Sequence, residues 1–182
     1  MALTFSPWPR REWQGLQTRE NTMTLEEMLD RECIRRTLAR YTTAGDRLRL
    51  EPFLSVFTED AVLESEGVPE ADAFRYQGRA QIAGWITRWT ERADDAQAPT
   101  HAASFVRHHL STSDVEFTAP DTARGRTYWT AYTDIGPDHG GYYLDIFRRC
   151  GDEWLIAHRR VRLDWRAQNS LFRTAISRSR EV

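Results

Sequence analysis

A tyrosine and an aspartate near the end of a predicted helix form the leading candidate site. Tyr41 follows Ile34 and Leu38 at helical spacing, which puts the three side chains on one apolar face. Asp46 comes directly after Gly45, a residue type common where helices end. Its carboxylate should therefore lie at the inner end of that face. Because burying an unpaired charge is costly, this carboxylate needs a partner.

His108, on a predicted strand far along the chain, is the candidate partner. An aspartate that accepts a hydrogen bond from one imidazole nitrogen fixes the tautomer and raises the basicity of the other nitrogen. Such a histidine can take a proton from carbon or give one to a leaving oxygen. We therefore predict an Asp46–His108 dyad assisted by Tyr41, whose hydroxyl could bind a substrate oxygen. From the residues alone a surface carboxylate and a solvated histidine are the commoner cases, and a core tyrosine is as common as a catalytic one.

Other kinds of chemistry are disfavoured by what the sequence lacks. All 25 basic residues are arginine, which excludes Schiff-base catalysis and a P-loop lysine. His108 and His109 point to opposite sides of a strand and cannot both bind one metal ion. No H-E-x-x-H, G-x-S-x-G or G-x-G-x-x-G motif is present, so we predict neither a metal nor a cofactor. Cys33 and Cys150, the two cysteines, predict neither a zinc site nor a disulfide.

Composition indicates one ordinary globular domain. The chain has 182 residues, of which 40% are hydrophobic and 29% charged. A formal net charge of −2 argues against a nucleic-acid partner. Neither a signal peptide nor an apolar run of membrane-spanning length is seen, so we expect a cytoplasmic protein without a membrane partner. Seven Trp and six Tyr suggest an aromatic-lined cavity, a large interface or an aromatic core.

The hydrophobic pattern divides the chain into an N-terminal arm at 1–23, a folded domain at 24–166 and a C-terminal tail at 167–182. Thr24 and Glu27 fit a capping box that opens the long helix. Further elements are predicted in the following order: a second helix from Pro52 to Phe57, a strand at 61–65, a loop at 66–77 and a third helix from about Arg79 to Arg92.

From about Phe105 the hydrophobic period changes from helical to alternating. Strands are predicted near 105–117, 122–134, 140–149 and 153–165, with turn-rich connections at 119–121, 136–140 and 150–152. Connections this short are typical of an antiparallel meander. Helices followed by a run of strands predict an α+β fold with the helices on one face of a curved sheet.

An ordered set of short motifs carries a family resemblance over about residues 24–166. The motifs are Leu25-Glu-Glu27, Arg31-x-x-Ile34-x-x-x-Leu38-x-x-Tyr41, Gly45-Asp46-Arg47, Phe57-Thr-Glu-Asp60-Ala-Val62, Gly78-Arg-x-x-Ile82, Arg107-His108, Trp154-Leu-Ile156 and Leu163-Asp-Trp165. This order resembles the SnoaL-like family of the nuclear-transport-factor-like α+β barrel superfamily. The pattern is similar to the branch of scytalone dehydratase, bile-acid 7α-dehydratase and hexachlorocyclohexane dehydrochlorinase. The resemblance implies a cone-shaped, curved antiparallel sheet with three N-terminal helices enclosing a pocket.

The resemblance also assigns the residues of the dyad. In that branch a helix-end aspartate and a strand histidine are catalytic, and these match Asp46 and His108. A helix tyrosine five residues before the aspartate matches Tyr41. Two positions depart from the pattern: His109 stands where the dehydrochlorinase has an aromatic residue, and Thr133 stands where scytalone dehydratase has a second histidine.

Five further residues are implied as substrate-binding. Alternate residues of one strand would line the cavity, namely Thr127, Trp129, Ala131 and Thr133, with ordinary sheet packing as the alternative. Arg159 matches a pocket-mouth position of the dehydrochlorinase. Because Arg159 belongs to an arginine-rich strand, a solvated or subunit-facing position is the other interpretation.

The function implied is a cofactor-independent lyase or isomerase that acts on a hydrophobic, cyclic, oxygenated small molecule. The fold is commonly oligomeric, so we expect a homodimer or homotrimer. Because this fold hosts several activities, two alternatives remain. One is a non-catalytic small-molecule-binding or assembly module. The other is a β-subunit-like partner of a ring-hydroxylating oxygenase, suggested by the arginine-rich final strand.

Overall fold

The computed structural model of the chain describes residues 23–68, 73–93 and 103–172, without the side chains of 88–93. The predicted arm, apart from Met23, and the predicted tail beyond 172 lie outside the described residues. The elements in chain order are α1 (Leu25–Gly45), α2 (Leu50–Leu54), β1 (Phe57–Glu66), β2 (Arg75–Gln77), α3 (Gly78–Ala93), β3 (Arg107–Ala119), β4 (Thr122–Thr133), β5 (Gly136–Cys150) and β6 (Glu153–Arg166). None of the helices in these ranges is long and apolar enough to cross a membrane.

Helix α1 begins and ends where the sequence predicts. The Thr24 hydroxyl accepts a hydrogen bond from the backbone N–H of Glu27 at 3.1 Å, which satisfies one of the free donors of the first turn. At the other end the backbone N–H of Asp46 donates to the carbonyl of Thr42 at 2.9 Å. The predicted apolar face is buried and includes Ile34, Leu38 and Tyr41.

The predicted α+β class is confirmed: the helices cover one six-stranded, curved, unclosed sheet. The strand order is β2-β1-β6-β5-β4-β3. Every neighbouring pair is antiparallel except β1 and β6, which run parallel. The four long strands predicted from period-two alternation are present as β3 to β6.

Three local predictions were wrong. Phe57 belongs to β1 and pairs with Ile156 of β6, so a partner far along the chain overrides the local helical spacing. The predicted loop at 66–77 ends in β2, which pairs with β1. The predicted connection at 136–140 is the start of β5, where Pro137 pairs with Tyr132 directly beside a bulge, a strand position that proline tolerates.

The bulge in β5 has a direct consequence for side-chain direction. Ala131 pairs with His139 and Tyr132 pairs with Pro137, so Asp138 is the extra residue. A bulge breaks the strict alternation of side chains and re-aims those beside it. Both Asp138 and His139 are consequently buried, although they are neighbours in sequence.

Two glycines after the bulge allow adjacent strands to approach closely. A Cβ on Gly141 would lie 2.0 Å from the carbonyl oxygen of Arg162, and one on Gly140 would lie 2.9 Å from that of Trp129. Both distances are below van der Waals contact. The backbone beside His139 is therefore held between two strands with no room for side chains at these positions.

Two buried hydrogen bonds within the apolar core connect α1 to the sheet. The Thr37 hydroxyl donates to the carbonyl of Trp154 at 2.5 Å, and the indole N–H of Trp154 donates to Asp30 at 2.9 Å. Because these groups are buried, the bonds fix the helix in one position on β6. The core around them includes Phe53, Val56, Phe57, Leu63, Ile82, Ile86, Phe147 and Ile156.

Candidate active site

Asp46 and His108 are joined by two contacts. Oδ1 of Asp46 lies 2.6 Å from Nδ1 of His108, and Oδ2 accepts the backbone N–H of His108 at 3.0 Å. The carboxylate that follows α1 thus binds the start of β3 at two points. An ionised carboxylate only accepts, so Nδ1 carries the hydrogen and Nε2 is the nitrogen available for chemistry.

The dyad is only partly enclosed. The Asp46 side chain is 8% exposed, whereas that of His108 is 28% exposed. The carboxylate is therefore shielded from water while the imidazole still reaches accessible space. This arrangement suits a base that must meet a small molecule and a carboxylate that must stabilise the resulting imidazolium.

A second histidine lies on the same face of the sheet. His108 pairs with Ala131, which pairs with His139, and directly opposed residues of antiparallel strands share a face. The small side chain of Ala131 separates the imidazoles, whose ring centroids are 6.4 Å apart. Trp129, two residues before Ala131, lies 5.6 Å from each ring. These four residues form the inner wall of the candidate site.

His139 belongs to a second carboxylate–histidine pair. Its Nδ1 lies 2.8 Å from Oδ1 of Asp138. Asp138 also accepts from the Thr133 hydroxyl at 3.0 Å, from the backbone N–H of Leu171 at 2.9 Å and from the Ser170 hydroxyl. Residues of the predicted tail therefore pack against the domain and anchor this carboxylate.

The two groups of this pair have shifted pKa values. Burial raises the pKa of Asp138, but the hydrogen bonds from Ser170, His139 and Leu171 outweigh it and hold the pKa below its usual range. Burial lowers the pKa of His139, and the opposing pull of Asp138 does not compensate. Near neutral pH the pair is accordingly a carboxylate and a neutral imidazole.

Tyr41 lies deeper, against a buried ion pair. Nε and Nη2 of Arg159 each lie 2.7 Å from an oxygen of Asp145, and both side chains are 0% exposed. The guanidinium sits 4.0 Å from the ring centroid of Tyr41 and 4.1 Å from that of Tyr143. A cation held between two aromatic faces is favourable once desolvated, so the four side chains pack as one unit.

The phenol of Tyr41 stays protonated near neutral pH. Burial raises the pKa of Tyr41; Arg159 opposes this rise, and the charges of Asp145 and Asp46 add to it. Arg159 itself remains a cation, because Asp145 raises its pKa against the effect of burial. Tyr41 is therefore a hydrogen-bond donor within the electrostatic field of the dyad.

The predicted β4 residues are all buried, but they differ in their contacts. The Thr127 hydroxyl lies 2.9 Å from that of Ser113, and Thr133 donates to Asp138. Trp129 and Ala131 lie beside the histidines, as described above. Arg159 is wholly enclosed, so the solvated-strand interpretation was wrong, and a pocket-mouth position does not fit either.

The sequence did not point to four residues of this region: Asp138, His139, Tyr143 and Asp145. The tight turn at 134–135 alone would put Asp138 opposite Ala131, and only the bulge puts His139 there and hence on the face of His108. In the sequence the Gly and Pro of 136–140 favour a turn, and nothing there marks the bulge that places His139. Asp145 and Tyr143 likewise have no signal in a single sequence.

Two other features of the described residues bear on the site. No group of three or more His, Cys, Asp or Glu within them could hold a metal ion. An open cleft of about 730 Å³ lies between the start of α1 and β3, lined in part by Glu27, Asp30 and Phe117. It contains neither Asp46 nor His108, so it is separate from the dyad.

Residues 26–160 match the model of the SnoaL-like domain. The chain belongs to this family. The family resemblance deduced from the ordered motifs is thereby confirmed. No curated protein matches the sequence.

Solved structures share the fold of this SnoaL-like protein. An NTF2-like protein with a cystatin-like fold from Novosphingobium aromaticivorans is 26% identical, with a TM-score of 0.62 over 82% of this chain and 92% of that one. A candidate scytalone dehydratase from the same species is 20% identical, with a TM-score of 0.58 over 77% and 87%. The hexachlorocyclohexane dehydrochlorinase LinA-type3 from Novosphingobium barchaimii is 14% identical, with a TM-score of 0.60 over 79% and 92%. At these last two identities the likeness concerns the fold alone.

Proposed function

We propose that this SnoaL-like protein is a cofactor-independent lyase or isomerase acting on a hydrophobic, cyclic, oxygenated small molecule. The observation that carries the proposal is the 2.6 Å contact between Asp46 and His108, with the imidazole still partly exposed. Nε2 of His108 takes a proton from a carbon adjacent to an activating carbonyl. Asp46 stabilises the imidazolium that forms.

The imidazolium of His108 then gives up the proton that it took, and the two reactions differ in where that proton goes. In an elimination the electron pair of the broken C–H bond forms a double bond as the neighbouring C–O bond breaks, and the leaving hydroxyl takes the proton from the His108 imidazolium and departs as water. In an isomerisation the proton returns to a different carbon. Tyr41, protonated and near the dyad, donates a hydrogen bond to the oxyanion that develops on the substrate.

The predicted binding residues take two different roles in this proposal. Trp129 and Ala131 contact the substrate, since they lie beside both histidines. Thr127, Thr133 and Arg159 act indirectly, because their polar groups engage Ser113, Asp138 and Asp145 respectively.

Assembly as a homodimer or homotrimer is part of the proposal. Large apolar side chains on the sheet are exposed although the core is well filled, and these include Tyr128, Ile146 and Trp165. A shared apolar surface of this kind is typical of a subunit interface. The expected interface is of the obligate class, on the order of 2,000 Å² or more in total.

The proposal is tested with a panel of cyclic hydroxy-ketones, followed by proton NMR in deuterated water for loss of the C–H signal beside the carbonyl. Wild-type protein should exchange or eliminate that proton, and His108→Ala should slow the reaction roughly a hundredfold or more. His158→Ala is the matched control, because His158 also bonds a carboxylate, that of Glu64 at 2.8 Å. Equal rates for wild type and His108→Ala on every active substrate would refute the proposed base.

One observation favours a non-catalytic assembly module as the second candidate. The interior of the domain behind the dyad is filled by the buried side chains of Tyr41, Tyr143 and Arg159. A filled interior leaves less room for a substrate than an empty cone. A stable oligomer in light scattering that neither binds any panel compound nor exchanges its proton above the solvent rate would favour this candidate.

A further inference from the structure

The pair Asp138–His139 has the geometry of a substrate subsite that the proposed mechanism does not use. His139 lies on the inner wall, 6.4 Å from His108 between ring centroids. Its Nδ1 is committed to Asp138, which leaves Nε2 as the second nitrogen. In a neutral imidazole with hydrogen on Nδ1, Nε2 can only accept a hydrogen bond.

Nε2 of His139 is not sealed inside the protein. Five side-chain polar atoms of the described residues are enclosed without a partner, and Nε2 of His139 is not one of them. No described group bonds it, so it must retain some contact with accessible space. Phe172 stacks on one face of the ring at 4.3 Å between centroids, which leaves the ring edge as the route of approach.

Trp129, whose ring neighbours that of His139, supplies the opposite hydrogen-bonding character. Its indole Nε1 is one of the enclosed atoms without a partner, and the residue is 5% exposed. A buried donor without an acceptor costs free energy, so a ligand oxygen that reaches it through a small movement of the surrounding side chains is favoured. The rings of Trp129 and His139 are 5.6 Å apart between centroids.

We infer that His139 and Trp129 form a subsite for a hydroxyl group of the ligand. A hydroxyl donates to Nε2 of His139 and accepts from Nε1 of Trp129, whereas a carbonyl or an ether oxygen can only accept. The inference rests on the proposed function in placing this hydroxyl beside the carbon that His108 deprotonates. It deepens that function by adding a hydroxyl donor to the substrate class.

Ser170 and Asp138 are positioning residues of this subsite. The Ser170 hydroxyl and the backbone N–H of Leu171 hold the Asp138 carboxylate, which in turn holds hydrogen on Nδ1 of His139. If this chain of contacts acts as inferred, Asp138→Asn exchanges the tautomer of His139. Nitrogen NMR of labelled histidine reports that exchange, which a merely structural role for Asp138 would not produce.

Binding of 2-naphthol and its methyl ether, which differ only in the hydroxyl hydrogen and a methyl group, tests the inference. Wild-type protein should bind 2-naphthol at least about tenfold more tightly, the scale for leaving a buried polar group unpaired. His139→Phe should abolish the preference, and His158→Phe should leave it unchanged. In wild-type protein, 2-naphthol should also shift the Nε2 resonance of His139, a measurement that needs no variant to fold.

Several results would overturn the subsite. They are equal affinity for the two probes, no measurable binding of 2-naphthol up to its solubility limit, a preference that survives His139→Phe, or an unmoved Nε2 resonance. Asp46→Asn separates this inference from the proposed function, because it removes the catalytic carboxylate and should leave the preference for 2-naphthol intact. The proposed catalysis can therefore be refuted while the subsite is confirmed, and the subsite can be refuted while the proposed catalysis is confirmed.

Discussion

Replacing Asp46 by asparagine should trap His108 in the wrong tautomer. The carboxylate makes two contacts, one oxygen accepting from Nδ1 of His108 and the other from its backbone N–H. Asparagine has one oxygen and one amide nitrogen. The backbone N–H can only donate, so the oxygen is drawn to it and the amide nitrogen faces Nδ1. Nδ1 must then accept, which moves the hydrogen of the neutral ring to Nε2.

The expected loss follows from which nitrogen does the chemistry. With hydrogen on Nε2, the nitrogen that faces the substrate can no longer take a proton, and the uncharged amide cannot stabilise an imidazolium. Turnover should fall roughly a hundredfold or more, the usual contribution of a positioned general base. At about 1.36 kcal/mol per factor of ten this is at least about 2.7 kcal/mol in the activation free energy.

The assay measures both the turnover rate and the tautomer of His108. Turnover is measured on the substrate that gives the highest rate in the ketone panel, and nitrogen NMR assigns the protonated nitrogen of His108. The fold should persist, since the oxygen of asparagine keeps the backbone contact. Because Asp46 and His108 act as a unit, the double variant Asp46→Asn, His108→Ala should be little slower than either single one.

Two results would refute this reasoning. Wild-type turnover in Asp46→Asn would show that the carboxylate has no part in catalysis. A large loss of turnover with hydrogen still on Nδ1 would show that the tautomer argument is wrong. His158→Ala provides the baseline for non-specific effects, since its carboxylate pair lies outside the candidate site.

Three other outcomes follow from the structure. Asp145→Ala should destabilise the protein by about 3–5 kcal/mol in urea unfolding, because it leaves the enclosed Arg159 charge unpaired, whereas the half-exposed Arg162 changed to Gln should cost about 1 kcal/mol at most. Because the pKa of Asp138 is lowered in the folded protein, its carboxylate contributes stability above its unfolded pKa of about 3.9, and this contribution is lost as the pH falls through the lower folded pKa. The difference in unfolding free energy between wild type and Asp138→Asn should therefore narrow toward about pH 3. A difference that stays constant with pH would contradict the lowered pKa. Light scattering should give the mass of a dimer or trimer, and a monomer at micromolar concentration would contradict the interface.

Local patterns in the sequence were enough to predict the main elements. The cap at Thr24, the apolar face ending in Tyr41 and the alternating strands from Arg107 onward rest on contacts between residues near in sequence. The same patterns carry the family resemblance, which points to Asp46 and His108.

The missed features depend on pairing between distant segments. The parallel pair of β1 with β6 moved Phe57 out of a helix, and the extra residue at Asp138 turned a supposed loop into a strand. Each is a choice of register, which a single sequence specifies only through the sum of many contacts. His139 was missed for this reason, although its partner in the sheet, Ala131, had been assigned to the site.

A carboxylate beside a histidine is not sufficient to define an active site in this fold. Among the described residues, Glu64–His158 also forms such a pair at 2.8 Å, and His158 is 31% exposed, close to the 28% of His108. The two differ in what shares their face. His158 is paired in the sheet with Ile146, which is exposed, whereas His108 is paired with buried Ala131 and lies against Trp129. Deprotonation of carbon needs a base beside a surface that holds an apolar molecule. Of these two pairs, only Asp46–His108 lies beside such a surface.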